Sequence, residues 1–127
     1  MKETICTMLG IFGSFIAGLF GGFDASMVTL LVFMSIDYVT GLIVAAVRKS
    51  PKSKSGGLSS SIGLKGLMKK CVVLMLVLVS ARLDLTLGTS YIRDAVCIGF
   101  MVNELLSIIE NAGLLGVPMP SAIKNAV

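Results

Sequence analysis

The chain has 127 residues, enough for one domain, and 55% of them are hydrophobic against 14% charged, too little charge to cover a water-soluble domain this small. Histidine is absent and the three cysteines, Cys6, Cys71 and Cys97, stand apart in or beside apolar runs. Ser-His-Asp and Cys-His nucleophile pairs are thereby excluded, a disulfide framework is disfavoured, and neither a metal nor another cofactor is expected. These features describe an all-α integral membrane bundle that is not an enzyme.

Four apolar stretches follow in chain order, at about residues 5–22, 25–47, 71–88 and 95–112, each reaching roughly 27 Å or more at 1.5 Å per residue, close to the hydrocarbon thickness of a bilayer. The first follows Lys2 in the manner of a signal peptide, but it lacks a clean small-x-small cleavage site ahead of a polar chain, so retention is expected. Its small residues recur at helical spacing: Gly10, Ser14, Gly18 and Gly22 in one row, Gly13, Ala17 and Gly21 in the next. Such rows let helix backbones approach closely where lipid offers no hydrophobic contrast, so this face is expected to be buried against protein, within one chain or between chains.

Between the second and third stretches lies a basic segment, residues 48–70, with Pro51, Gly56, Gly57 and a serine run. It holds seven of the eleven basic residues (Arg48, Lys49, Lys52, Lys54, Lys65, Lys69 and Lys70), the pattern of a cytoplasmic loop under the positive-inside rule. A nucleic-acid surface would want interleaved aromatics, and none is expected. The end of this loop, Ile62 to Lys70, is amphipathic enough to rest on the membrane surface. Placing the loop inside puts both termini in the cytoplasm and the Gly21–Asp24 and Thr89–Asp94 links outside. An alternative topology has three spans, the first stretch lying along or outside the membrane. The tail, residues 113–127, is too short to span.

Asp37, Arg82 and Glu104 each lie eleven or twelve residues from the edge of an expected span, about 16–18 Å deep along a helix and so near one level. Ten Val and Leu residues between Cys71 and Gly88 favour insertion by roughly 4 kcal/mol, whereas Arg82 and Asp84 oppose it by about 5–7 kcal/mol. The third stretch therefore needs a partner. Arg82 and Asp84 point to nearly opposite sides of a helix, so an Asp37–Arg82 contact is expected, with Asn103, Glu104 and Asp84 completing a polar face. The alternative puts Arg82 and Asp84 near the outer interface of a shorter, tilted helix, Arg82 snorkelling to water. Arg93-Asp94 is expected only to mark the outer edge of the last span. Gly63-Leu64-Lys65-Gly66 lacks the spacing of a phosphate-cradling loop.

The order of several short motifs adds a resemblance. Asp37-Tyr38-Val39-Thr40-Gly41, Ser55-Gly56-Gly57-Leu58-Ser59-Ser60 leading to Gly66-Leu67-Met68-Lys69-Lys70, Arg82-Leu83-Asp84, Ile92-Arg93-Asp94, the run Asn103-Glu104-Leu105-Leu106-Ser107-Ile108-Ile109-Glu110-Asn111-Ala112-Gly113, and Gly116-Val117-Pro118-Met119-Pro120 resemble the toxin-secretion/phage-lysis holin family, phage holin family 4, over roughly residues 25–126. The resemblance implies a phage- or prophage-encoded protein of the bacterial cytoplasmic membrane. It would gather into homo-oligomers among membrane lipids and open lesions through which an endolysin or toxin escapes as cargo, without specific binding. No catalytic residue carries over, because the activity is assembly. A small transporter or ion channel using Asp37 or Glu104 as a midplane site, and a structural subunit of a larger membrane complex, are the competing readings.

Overall fold

The computed structural model describes residues 1–52, 56–118, 120 and 121; Lys54 and most of the end of the tail lie outside the described residues. It is all-α, with four helices: α1 (Lys2–Leu19), α2 (Ala25–Ala46), α3 (Ser60–Leu87) and α4 (Ile92–Leu114). These follow the four apolar stretches, with one displaced boundary. α3 begins ten residues before Lys70, so the second half of the expected basic loop is the first part of a 28-residue helix. Ile62 to Lys70 therefore continue into the apolar stretch without a break. The local cause is a cap: Ser59 is extended and its hydroxyl accepts the Ile62 amide at 3.5 Å, starting the helix where the serine run ends.

The other ends are also set by named residues. Asp24 caps α2 by accepting the Met27 amide at 3.2 Å. Gly88 ends α3 in the left-handed region, φ 69°, which a side chain would strain. In the α2–α3 loop Gly56, φ 72°, passes so close that a Cβ would lie 2.5 Å from the Arg48 carbonyl oxygen. Gly22 is not part of the helical row expected of it. α1 stops at Leu19, and Gly22 sits in the following turn at φ 93°.

α4 packs mainly on α2 and then on α3, around a small core of Met27, Leu30, Met34, Val77 and Cys97. α1 stands apart. Among the described residues it meets only α3, buries none of its residues, and a Cβ on Gly10, Gly13 or Gly18 would find nothing within 4 Å. Gly10, Gly13 and Gly18 therefore pack on nothing else in the chain among the described residues, whereas Gly21 lies against Arg93.

Large apolar side chains point outward all along the three packed helices, among them Val28, Val32, Val39 and Ile43 on α2, Val72, Met75, Val79 and Leu85 on α3, and Ile98, Val102 and Leu105 on α4. A water-soluble monomer rarely exposes contiguous apolar surface on this scale. Two of the four helices, α1 and α2, are long and apolar enough to cross a membrane by themselves. α3 holds three or more charged residues in every eighteen-residue stretch, so its suitability for lipid depends on what those charges meet.

Candidate functional site

Near the middle of α2, α3 and α4 three charged side chains converge. Lys70 Nζ lies 2.7 Å from Asp37 Oδ2 and 2.9 Å from Glu104 Oε2, and the side chains are only 16%, 13% and 6% exposed. One ammonium therefore bridges two carboxylates and ties all three packed helices together. Charge-assisted bonds of this length between side chains so little exposed are stronger than those of surface ion pairs.

A second layer of polar contacts surrounds the bridge. Asn111 Nδ2, two turns beyond Glu104 on the same face of α4, donates to the Asp37 carbonyl and to Asp37 Oδ1, both at 3.2 Å, and to Thr40 Oγ1 at 2.9 Å. Tyr38 donates its hydroxyl to the Gly63 carbonyl at 3.2 Å. Gly63 and Gly66 make room for that ring: a Cβ on Gly63 would lie 3.4 Å from the Tyr38 oxygen, and one on Gly66 3.8 Å from the ring. The Gly63–Gly66 segment thus seats an aromatic ring from α2. Among the described residues no buried side-chain nitrogen or oxygen lacks a hydrogen-bond partner.

At the end of the bundle away from the α2–α3 loop, the one expected to face outward, a second, outer cluster forms. Asp84 accepts the Thr89 hydroxyl at 2.5 Å, the Ile92 amide at 3.0 Å and the Arg93 amide at 2.9 Å, so it satisfies the start of α4, whose own N-cap residue Tyr91 supplies no side-chain bond. Arg93 is buried, and it donates to the carbonyls of Phe20 and Gly22 at 2.9 and 3.0 Å and pairs with Asp24 and Asp94. The guanidinium fastens the α1–α2 turn to α4. Asp24 lies outside the helices. Partial burial works against its ionised form, but the Met27 amide and Arg93 outweigh it and hold its carboxyl below the ordinary value.

The expected site residues therefore separate. Asp37 and Glu104 meet, Asn103 lines the cavity beside them, and Asp84 belongs to the outer cluster. The expected Asp37–Arg82 contact is corrected: Arg82 is exposed and makes no ion pair among the described residues, and Lys70 is the counter-ion. A loop that ends at Lys70 puts that side chain at the membrane edge, whereas α3 starts at Ser60. The Ser59 cap would have moved it inward. Arg93, expected to do no more than mark a boundary, is the buried anchor of the outer turn. The i, i+7 spacing of Glu104 and Asn111 and the i, i+3 spacing of Asp37 and Thr40 were the available signals for the inner cluster.

A cavity of ≈ 630 Å³ opens beside the inner cluster, between α2, α3, α4 and the loop. Lys52, Lys65, Lys69 and Lys70 line it, with Asp37 and Glu104 in its wall. Arg48 and Lys49 are exposed in the loop, outside that lining. Among the described residues no group of His, Cys, Asp and Glu side chains is arranged to hold a metal ion.

Residues 14–127 match the model of the bacteriophage holin family. The chain is similar to an uncharacterized protein of Clostridium perfringens, 40% identical over 97% of this chain and 89% of that one. It is also similar to one of Listeria monocytogenes, 38% identical over 91% and 79%, and to one of Halalkalibacterium halodurans, 31% identical over 100% and 93%. No solved structure matches. The match spans all three packed helices and both charge clusters, and the chain belongs to the bacteriophage holin family, phage holin family 4.

Proposed function

We propose that this protein is a holin that crosses the bacterial cytoplasmic membrane four times, with both termini and the 47–59 loop in the cytoplasm. On this reading it gathers into large homo-oligomers and opens lesions through which an endolysin or toxin passes. Holin-family proteins are not catalytic, so function lies in assembly. The observation that carries the reading is the division of α2, α3 and α4 into an outward apolar surface and inward ion clusters. Of the charges on α3, Lys70 meets Asp37 and Glu104 and Asp84 meets the start of α4, so these two find polar partners within the chain.

Size requires many copies. A folded cargo of about 150 residues has a diameter of roughly 40 Å. A ring with that lumen, lined by helices about 10 Å apart, needs on the order of fifteen or more lining helices. α1, which finds no cover within the chain, supplies an apolar surface for such contacts.

The test is controlled expression in a bacterial host, together with reconstitution into liposomes. A holin arrests the host abruptly and releases a folded marker protein while oligomers are present. Harmless expression, or marker release by a protein that stays monomeric, would overturn the reading. The carboxylates beside the cavity also favour a second reading, a small transporter or channel, which requires saturable uptake driven by a pH gradient without dye leakage. Topology is read from the cysteines: Cys6 and Cys71 are exposed while Cys97 is buried. Labelling of Cys6 by an impermeant thiol reagent added to intact spheroplasts would count against four spans.

A further inference from the structure

Two hollows meet on α3, and Lys65 and Lys69 line both. The larger is the ≈ 630 Å³ cavity beside the inner cluster, within the range of about 300–1,000 Å³ typical of small-ligand sites, and Lys52 adds a further ammonium to its lining. The smaller, ≈ 430 Å³, follows Met68, Val72 and Val73 and is lined almost wholly by carbon. Spacings of three, four and seven residues put these five α3 residues on one helical face. Lys65 begins it, Met68 and Lys69 come next, and Val72 and Val73 follow toward the expected bilayer centre.

The charge balance leaves these lysines available. Lys70 is occupied by Asp37 and Glu104, whereas Lys52, Lys65 and Lys69 make no ion pair among the described residues. Unpaired ammonium groups on the part of α3 nearer the α2–α3 loop, beside an apolar trough that continues along the helix, match the outline of a molecule with an anionic head and a hydrocarbon tail. We propose that this face binds an anionic phospholipid of the inner leaflet, its phosphate held between Lys65 and Lys69 and one acyl chain laid along Met68, Val72 and Val73. The inference rests on the membrane reading above. It deepens that reading by naming a lipid that the protein would select rather than merely tolerate.

The full chain is reconstituted into phosphatidylcholine vesicles with and without phosphatidylglycerol, and retained lipid is counted by native mass spectrometry after transfer to detergent. The unaltered chain is expected to keep phosphatidylglycerol in preference to phosphatidylcholine. At about fivefold per lysine, the double variant Lys65→Gln/Lys69→Gln should retain it on the order of twentyfold less. Lys69→Arg, which keeps the charge, should retain it, as should the charge-matched control Lys2→Gln/Lys49→Gln, whose positions lie outside both hollows. Equal loss in that control would mean undirected attraction and would overturn the site. So would equal retention of the two lipids, or full displacement of phosphatidylglycerol by inorganic phosphate. Failure of the chain to enter either vesicle would instead defeat the membrane reading and the site with it, whereas insertion with marker release but no lipid preference would defeat the site alone.

Discussion

The carboxylate of Asp84, in the last turn of α3, accepts the backbone amide of Arg93 at 2.9 Å, while the side chain of Arg93 reaches the other way to the carbonyls of Phe20 and Gly22. A residue that looks like a costly charge within a span is the cap of the next helix, and it orients the cation that secures the turn between the first two. Asp84→Ala is therefore expected to lower the midpoint of thermal unfolding in detergent, followed by circular dichroism, and Asp84→Asn to lower it less, since an amide oxygen still accepts one amide bond. Equal midpoints for Asp84→Ala and the unaltered chain would remove the cap from the account.

Lys70 is the shared counter-ion of two carboxylates. Lys70→Met leaves Asp37 and Glu104 facing each other without their counter-ion and is expected to destabilise the packed helices by about 3–5 kcal/mol, measured by denaturant unfolding in micelles. Neutralising the partners as well, in Asp37→Asn/Lys70→Met/Glu104→Gln, should recover most of that loss, because no unpaired charge then remains. Arg82→Gln, by contrast, should stay within about 0.5 kcal/mol of the unaltered chain, as expected of an exposed side chain without an ion pair.

Loss of the Arg93 guanidinium should be felt at Cys97, one turn along α4 and fully buried. Arg93→Ala leaves the carbonyls of Phe20 and Gly22 without this donor and Asp24 Oδ2 without its cation, at a cost of about 1–3 kcal/mol. Opening of the outer end should then speed labelling of Cys97 by a maleimide. An unchanged labelling rate would show that the α1–α2 turn is held by something else.

The outer cluster also gives an acid dependence. Asp24 is held below its ordinary value of 3.8, so the unfolded chain takes up its proton at a higher pH than the folded one. Its contribution is complete above that ordinary value and is lost as the pH falls through the lower folded value. The effect is modest because the Asp24 side chain is 52% exposed. Unfolding midpoints compared between neutral pH and about pH 3 should fall less for Asp24→Asn than for the unaltered chain, with the midpoint at neutral pH already lower in the variant.

Gly10→Leu and Gly18→Leu separate contacts between chains from contacts within one. Among the described residues no atom lies within 4 Å of either added Cβ, so the unfolding midpoint of the monomer should not fall. Crosslinked oligomers in liposomes should fall several-fold if the small-residue row joins α1 to another copy, because a bulky side chain holds backbones apart. Unchanged oligomers would place the contact on another surface.

The pattern of apolar stretches by itself determined the number, order and approximate extent of the helices. Helix formation and burial in lipid depend on composition and spacing that can be counted along the chain, and α2 and α4 fall within a few residues of where those counts put them. The third stretch was expected to end at Gly88, where α3 does end in a left-handed backbone, whereas Gly21 and Gly22, counted in helical rows, sit at positive φ in the turn after α1. Pairing was decided only by the tertiary structure. Whether Asp37 meets Arg82 or Lys70 depends on where α3 starts, how far a lysine reaches and which faces of three helices turn inward, and depth counted along one helix contains none of these. The same holds for α1. Its small-residue row was evident in the sequence, but only the packing of α2, α3 and α4 on one another left that row uncovered.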